Sequence, residues 1–448
     1  MGTRAKLFLI FLSPLLAVCL TAYAGEYAAP AKAAAEAPEG DGGNSGGEPK
    51  KTPPAAGAAQ ATDGQARTKA EAHKEELTFV PVPFVATTPN EGPSYGFLTA
   101  IMKYNKENQV STLIAPQYNH NKNFGDTGTL YGAFYPKLNQ QLEINLSKST
   151  IINEDYDARF RDKTFMDGKL ETNGYTGIFS DGSARFFGFQ STSRRRDQTN
   201  YTDHEGGLNL SAGYDVLKDF QVTFGERYRN VDIKQGALKG LPYIGQLFTQ
   251  EEVPGINGFT AHAQRVAFAY NTMDNRITPT EGLYGRTVFE SSSKQLGSSA
   301  SYQHYEAEVK GYFPLDDARF VSVARFAYSQ TVGSNVPFLE RSVLGGENTL
   351  RGYGRNRFID NSYLLGNVEE RIRIGRIDIF DVNAEIEAAP FFDAGTVMRD
   401  LSDMRHKNFK FNPGIGFRGL VRPNIVGRVD LGAGSEGIAI FAGLGYPF

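Results

Sequence analysis

From Phe79 to the C-terminus, apolar and polar side chains alternate in short segments separated by clusters of Gly, Asn and Asp. A two-residue period puts successive side chains on opposite faces of a β-strand. The last segment is the plainest: in IAIFAGLGYPF, Ile438, Ile440, Ala442, Leu444, Tyr446 and Phe448 fall on one apolar face. A similar apolar file runs from Val382 to Ala394 at even positions, with Asn383, Glu385, Glu387 and Asp393 opposite. One face avoids water and the other carries charge. Segments of this kind centre near Tyr95, Gln109, Gly128, Gln140, Lys169, Tyr201, Phe220, Ala261, Leu283, Ser301 and Arg319. Five more follow, near Tyr363, Asp381, Phe409, Val426 and Ile438, which predicts about 16 strands, an even number suited to a closed antiparallel barrel. The stretch between Asp155 and Phe179 is ambiguous, fitting two short strands or one strand with a long loop.

The N-terminus decides between a soluble sandwich and a membrane barrel. Arg4 and Lys6 precede an apolar run from Leu7 to Leu20, and Ala22-Tyr23-Ala24 supplies a small-x-small cleavage pattern, so residues 1–24 read as a signal peptide. The only cysteine, Cys19, lies inside it, which leaves no disulfide, thiolate metal site or cysteine nucleophile after cleavage. Ala28 to Glu76 contains no Val, Ile, Leu, Met, Phe, Tyr or Trp, so residues 25–78 are expected to form a disordered periplasmic tether. An exported chain with alternating strands, a terminal aromatic and no apolar helix after its leader predicts an all-β fold. Specifically, residues 79–448 are expected to form a transmembrane antiparallel β-barrel in the bacterial outer membrane, in contact with its lipid. The net charge of −3 and the lack of a long basic stripe argue against nucleic acid as a partner. The one tight basic cluster, Arg194-Arg195-Arg196, reads as a solvated loop.

From Val332 to Asn361 the strand pattern stops, and Gly333, Gly345, Gly346, Gly352 and Gly354 surround Arg351 in LGGENTLRGYGRNRF. A connection of this length is expected to be functional or disordered, and its glycines permit the tight turns needed to fold into a barrel lumen. An arginine there requires inward carboxylates. In GNVEERIRI the apolar Val368, Ile372 and Ile374 are even, so Asn367, Glu369, Arg371 and Arg373 face the lumen; Asp393 lies on the odd, inward face of the next strand. Arg351 is thus expected to be held by Glu369 and Asp393 through charge-assisted hydrogen bonds.

LGGENTLRGY, Asn367-x-Glu369 and Phe391-x-Asp393-x-Gly395 together resemble the bacterial surface antigen superfamily of outer-membrane assembly and translocation barrels, with DNRITPTEG at Asp274 to Gly282 as a weaker match. The resemblance implies an inward-folded sixth extracellular loop with Arg351, Gly352 and Tyr353 at its tip, Gly345, Gly346 and Gly395 in support, and Glu369 and Asp393 as its anchors. It also implies a C-terminal insertion signal of Gly443, Tyr446 and Phe448. Family members that receive unfolded clients usually carry POTRA domains before the barrel, and the short, apolar-poor segment here is not expected to encode one. The function so implied is assisted insertion or translocation of unfolded outer-membrane or secreted proteins, with a periplasmic or assembly-machinery partner. A passive or gated diffusion channel and a surface-exposed structural or adhesive antigen are the alternatives, and the Arg351 lock is equally readable as a purely structural strut.

Nothing in the pattern points to an enzyme. Gly43-Asn44-Ser45-Gly46-Gly47 imitates a nucleophile elbow without a strand or helix around it, and Gly432 to Gly437 imitates a dinucleotide fingerprint but joins two strands as a hairpin. The six histidines are scattered, so neither a metal nor a cofactor is expected.

Overall fold

The computed structural model describes residues 77–105, 110–137, 139–379, 382–421 and 425–448. The leader expected over 1–24 and almost all of the tether expected over 25–78 lie outside them. In chain order the wall strands are β1 (Leu77–Thr88), β2 (Gly92–Tyr104), β3 (Val110–Asn121), β4 (Gly125–Lys137), β5 (Gln140–Ser149) and β6 (Glu154–Phe165). They continue as β7 (Leu170–Asp181), β8 (Thr199–Leu217), β9 (Phe220–Gln235), β10 (Phe259–Asn271), β11 (Gly282–Ser292) and β12 (Tyr302–Leu315). The last six are β13 (Phe320–Gly333), β14 (Ser362–Ile379), β15 (Val382–Met398), β16 (Lys410–Val421), β17 (Ile425–Gly434) and β18 (Gly437–Leu444). Each pairs antiparallel with the next.

The wall therefore has 18 strands, not 16. One extra strand is β6, EDYDARFRDKTF, whose charge density hides its alternation; the ambiguous 155–179 stretch contains most of β6 and most of β7, two strands. The other is β1, which starts two residues before the boundary expected at 79. Pro81 and Pro83 lie within it, and proline is tolerated where its missing N–H faces no ladder partner, as on an edge strand. β1 is such an edge. It pairs with β2 along its whole length and runs close to β18, yet among the described residues no ladder joins β1 to β18. The barrel is nearly closed, with its seam between the first and last strands.

The distribution of side chains inverts that of a soluble protein. Phe224 is 63% exposed and Val309 56%, whereas Arg229, Arg351, Arg418 and Arg428 are among the most completely buried large side chains. Apolar groups outside and paired charges inside are stable only if the outer surface faces lipid. One end of the barrel carries short turns, such as 218–219 and 316–319, and both ends of the wall. The other end carries the long connections 182–198, 236–258 and 334–361. Outer-membrane barrels keep their short turns in the periplasm, so the long loops are extracellular. The two additional strands precede 334–361, making it the seventh extracellular connection rather than the sixth. Phe186, Ile244, Val253, Ile256, Phe338 and Ile359, drawn from all three long loops, bury into one apolar core with Tyr201, Val231, Ile233 and Phe259 of the wall.

Candidate functional site: the inward loop

The 334–361 loop narrows into a small ladder in which Ser342–Leu344 pairs with Phe358–Asp360, so residues 345–357 form a closed tip. Gly345 and Gly346 take φ of +110° and +109° where the tip begins. The Gly345 N–H donates to Thr349 Oγ1 at 2.9 Å, and the Gly346 N–H to the Tyr353 carbonyl at 3.0 Å. Leu344, Leu350, Tyr353 and Phe358 then pack on Ala327, Tyr363, Leu365 and Val397 of the wall. The apolar side of the tip thus fixes its depth before any charge is paired.

That depth places Arg351 against three acidic side chains. Its Nε and Nη2 donate to the two carboxylate oxygens of Asp393 at 3.0 and 2.8 Å, and its Nη1 to Glu369 Oε2 at 2.6 Å. The Arg351 backbone N–H adds a 3.1 Å bond to Asp393, and Asp430 stands 3.5 Å from Nη1. The guanidinium also lies 3.4 Å from the centre of the Phe391 ring. Burial opposes its charge, but Asp393 and then Glu369 outweigh that and hold its pKa above the ordinary arginine value. Planar bidentate pairing of this kind is specific to arginine.

The network extends beyond the expected trio. Arg418 bridges Glu369 at 3.1 Å and Asp430 at 2.8 Å, and Arg371 reaches Glu369 at 3.3 Å. Asn367 and Asn412 donate to Asp393 at 2.8 and 2.9 Å. Arg428 binds the tip itself, through the Asn348 side chain at 2.8 Å. Gly352 and Tyr353 lie where the tip meets the β17–β18 hairpin; Tyr353 Oη accepts from the Ser435 N–H at 3.2 Å. Gly395 sits on β15 beside Leu344. At Gly432 a Cβ would overlap the Arg351 carbonyl, so the glycine that opens the Gly432–Gly437 hairpin motif lets the tip approach.

A second ion-pair cluster holds the base of the same loop with the charges reversed. Glu340, 3% exposed, accepts from Arg227 at 2.7 Å, Arg229 at 2.6 Å and Tyr302 Oη at 2.5 Å. The two arginines are shared with Glu290 and Glu205. The loop therefore presents an acid to the β8–β12 sector and a base to the β14–β17 sector. Alternation in ERYRN, with Tyr228 outward, identifies Arg227 and Arg229 as inward, but Glu340 lies where no strand period exists to mark it. The same alternation marks Asp430 and Arg418, inward between apolar neighbours.

The C-terminal residues differ from the expected lipid-facing file. β18 ends at Leu444, and Gly445 takes φ +74°, which breaks the alternation. Tyr446 consequently turns inward, its ring centre 3.4 Å from the Arg371 guanidinium and its Oη donating to Glu387 at 2.9 Å. Phe448 packs with Tyr312, Val321 and Val323. Gly443 remains in the ladder opposite Arg428. On the periplasmic side, the 272–281 turn meets the network where the Pro279 carbonyl accepts from Arg371 at 3.2 Å.

Fold and loop together define an outer-membrane β-barrel closed around an inward, charge-locked extracellular loop. The profile of the Omp85 superfamily domain matches residues 136–420, and the chain belongs to that superfamily. Among solved structures it is similar to BamA from Haemophilus ducreyi lacking POTRA domains 1–3, at 14% identity and a TM-score of 0.50, covering 82% of this chain and 74% of that one. It is also similar to CdiB from Acinetobacter baumannii, at 10% identity and a TM-score of 0.42, covering 83% of this chain and 60% of that one. CdiB from Escherichia coli matches at 11% identity and 0.45, over 82% of this chain and 62% of that one. The first of these likenesses supports the barrel fold.

Proposed function

We propose that this barrel assists insertion or translocation of proteins at the outer membrane, admitting client strands at the seam between β1 and β18. The observation that carries the reading is the unladdered seam: an exposed strand edge is a template for pairing with another strand. Superfamily membership supports it. In this reading the Arg351 network and the Glu340 cluster keep the wall in shape while the seam opens.

The test is the folding of an unfolded outer-membrane protein into liposomes containing the full chain, beside empty liposomes. A second preparation carries Thr87→Cys and Ala439→Cys joined by a bismaleimide linker across the seam. The expected result is faster folding with the free seam and a return to the empty-liposome rate once it is linked. No acceleration, accompanied by ion flux through the same vesicles, favours a gated channel instead.

A further inference from the structure

At the extracellular end of the seam lies a cavity of about 260 Å³, walled by Thr87 and Thr88 of β1 and by Ile438 and Ile440 of β18. Its remaining lining includes Arg185, Arg195 and Arg357 against the single carboxylate of Glu436. Arg357 is neutralised by that carboxylate, at 2.8 Å through Nε and 2.6 Å through Nη2. The other two donate to no carboxylate among the described residues. Arg195 donates to the Glu436 backbone carbonyl at 2.7 Å, while Arg185 donates to the Asn90 carbonyl at 2.8 Å and to Gln198 Oε1 at 3.1 Å; these partners are uncharged oxygens. Arg185 Nε has no hydrogen-bond partner among the described residues. Burial first, and then the neighbouring Arg195, lower the Arg185 pKa below the ordinary arginine value, and the charge of Asp181 offsets them only in part.

The surroundings say which anion. Ile438 is 75% exposed and Ile440 37%, so the cavity opens beside the lipid-facing wall near the outer rim of the membrane. The exposed Arg194 precedes Arg195 on the same loop and extends positive charge over that rim, while Arg196 pairs with Asp197 at 3.7 Å. Basic groups at headgroup level bind anionic lipid headgroups, and the arginine fork suits phosphate oxygens. We propose that this cavity binds the phosphate of an outer-leaflet lipid headgroup, with Arg185 and Arg195 as its ligands and the acyl chains lying along Ile438 and Ile440. The site stands whether or not client strands use the seam.

The experiment is native mass spectrometry of the full chain in detergent micelles titrated with phosphatidic acid, with diacylglycerol of the same chains and inorganic phosphate in parallel. Saturable uptake of phosphatidic acid is expected, without uptake of diacylglycerol. The Arg185→Gln/Arg195→Gln variant should bind about tenfold more weakly, the scale of losing charge-assisted hydrogen bonds. Arg195→Lys should retain most of the binding, and the single Arg195→Gln change, at an exposed position, gives the same direction if the double variant does not fold. Undiminished uptake by the two glutamine variants, or equal uptake of diacylglycerol, overturns the site. Inorganic phosphate bound as tightly as the lipid overturns the headgroup assignment.

Discussion

Replacing Arg351 with alanine tests whether the inward loop is held by charge or by packing. The change removes three side-chain hydrogen bonds at 2.6, 2.8 and 3.0 Å and leaves Glu369 and Asp393 buried. Stripping one partner from a buried ion pair costs about 3–5 kcal/mol. Here Glu369 keeps Arg418 and Arg371, and Asp393 keeps Asn367 and Asn412, so the lower end of that range applies. A loss of about 3 kcal/mol shifts the docking equilibrium of the tip by roughly 150-fold. Hydrogen exchange of residues 345–357 in vesicles reads this directly, and the unfolding temperature of the barrel on a semi-native gel should fall with it. Arg351→Lys should recover part of the loss, because it keeps the charge but not the planar fork. Asp393→Asn should act in the same direction and be less than additive with Arg351→Ala, since both act on one network. Exchange within threefold of the wild type would refute the lock and leave the Leu344, Leu350, Tyr353 and Phe358 packing as what holds the loop.

Glu340→Gln should loosen the base of the loop by about 2–4 kcal/mol, because Arg227 and Arg229 lose the acid they share; protease cleavage near Leu339 should rise while the tip keeps its protection. Gly432→Val should displace the tip without touching any charged group, so faster tip exchange with an intact barrel band is expected; unchanged exchange would contradict the close approach at Arg351. At the β1–β2 turn, burial and then Asp181 push Glu91 up to about 7 from 4.5. A raised acid contributes stability that is complete below its unfolded value and is lost as pH rises through the folded one, so the protection of the turn, after correction for the intrinsic exchange rate at each pH, should fall between pH 5 and 8. Glu91 is only half-buried, which limits the size of the effect, and Glu91→Gln should abolish its pH dependence.

The alternation that marks most of the strands also marks the inward faces, which is why Glu369 and Asp393 are identifiable from parity alone. That logic fails where local chemistry masks the period. Pro81 and Pro83 argue against a strand unless it is an edge, and edge status depends on the whole barrel. β6 carries so many charges that its outward Phe160 is the main apolar mark of its lipid face. Parity also presumes an unbroken strand, so the left-handed Gly445 sends Tyr446 and Phe448 to the face opposite the expected one. Glu340 belongs to an irregular segment whose position is set by Phe338 and Leu339 in the loop core, a tertiary constraint with no sequence period.

Photo-cross-linking tests the proposed pairing of clients at the seam most directly. A photoreactive residue replaces Phe79 on β1 in one preparation and Phe224 on β9, far from the seam, in another; both positions are exposed on the lipid face. During folding of an unfolded outer-membrane protein into vesicles, adducts are expected from position 79 and not from position 224. Equal labelling from both positions, or folding acceleration with no adduct at position 79, would contradict entry at the seam.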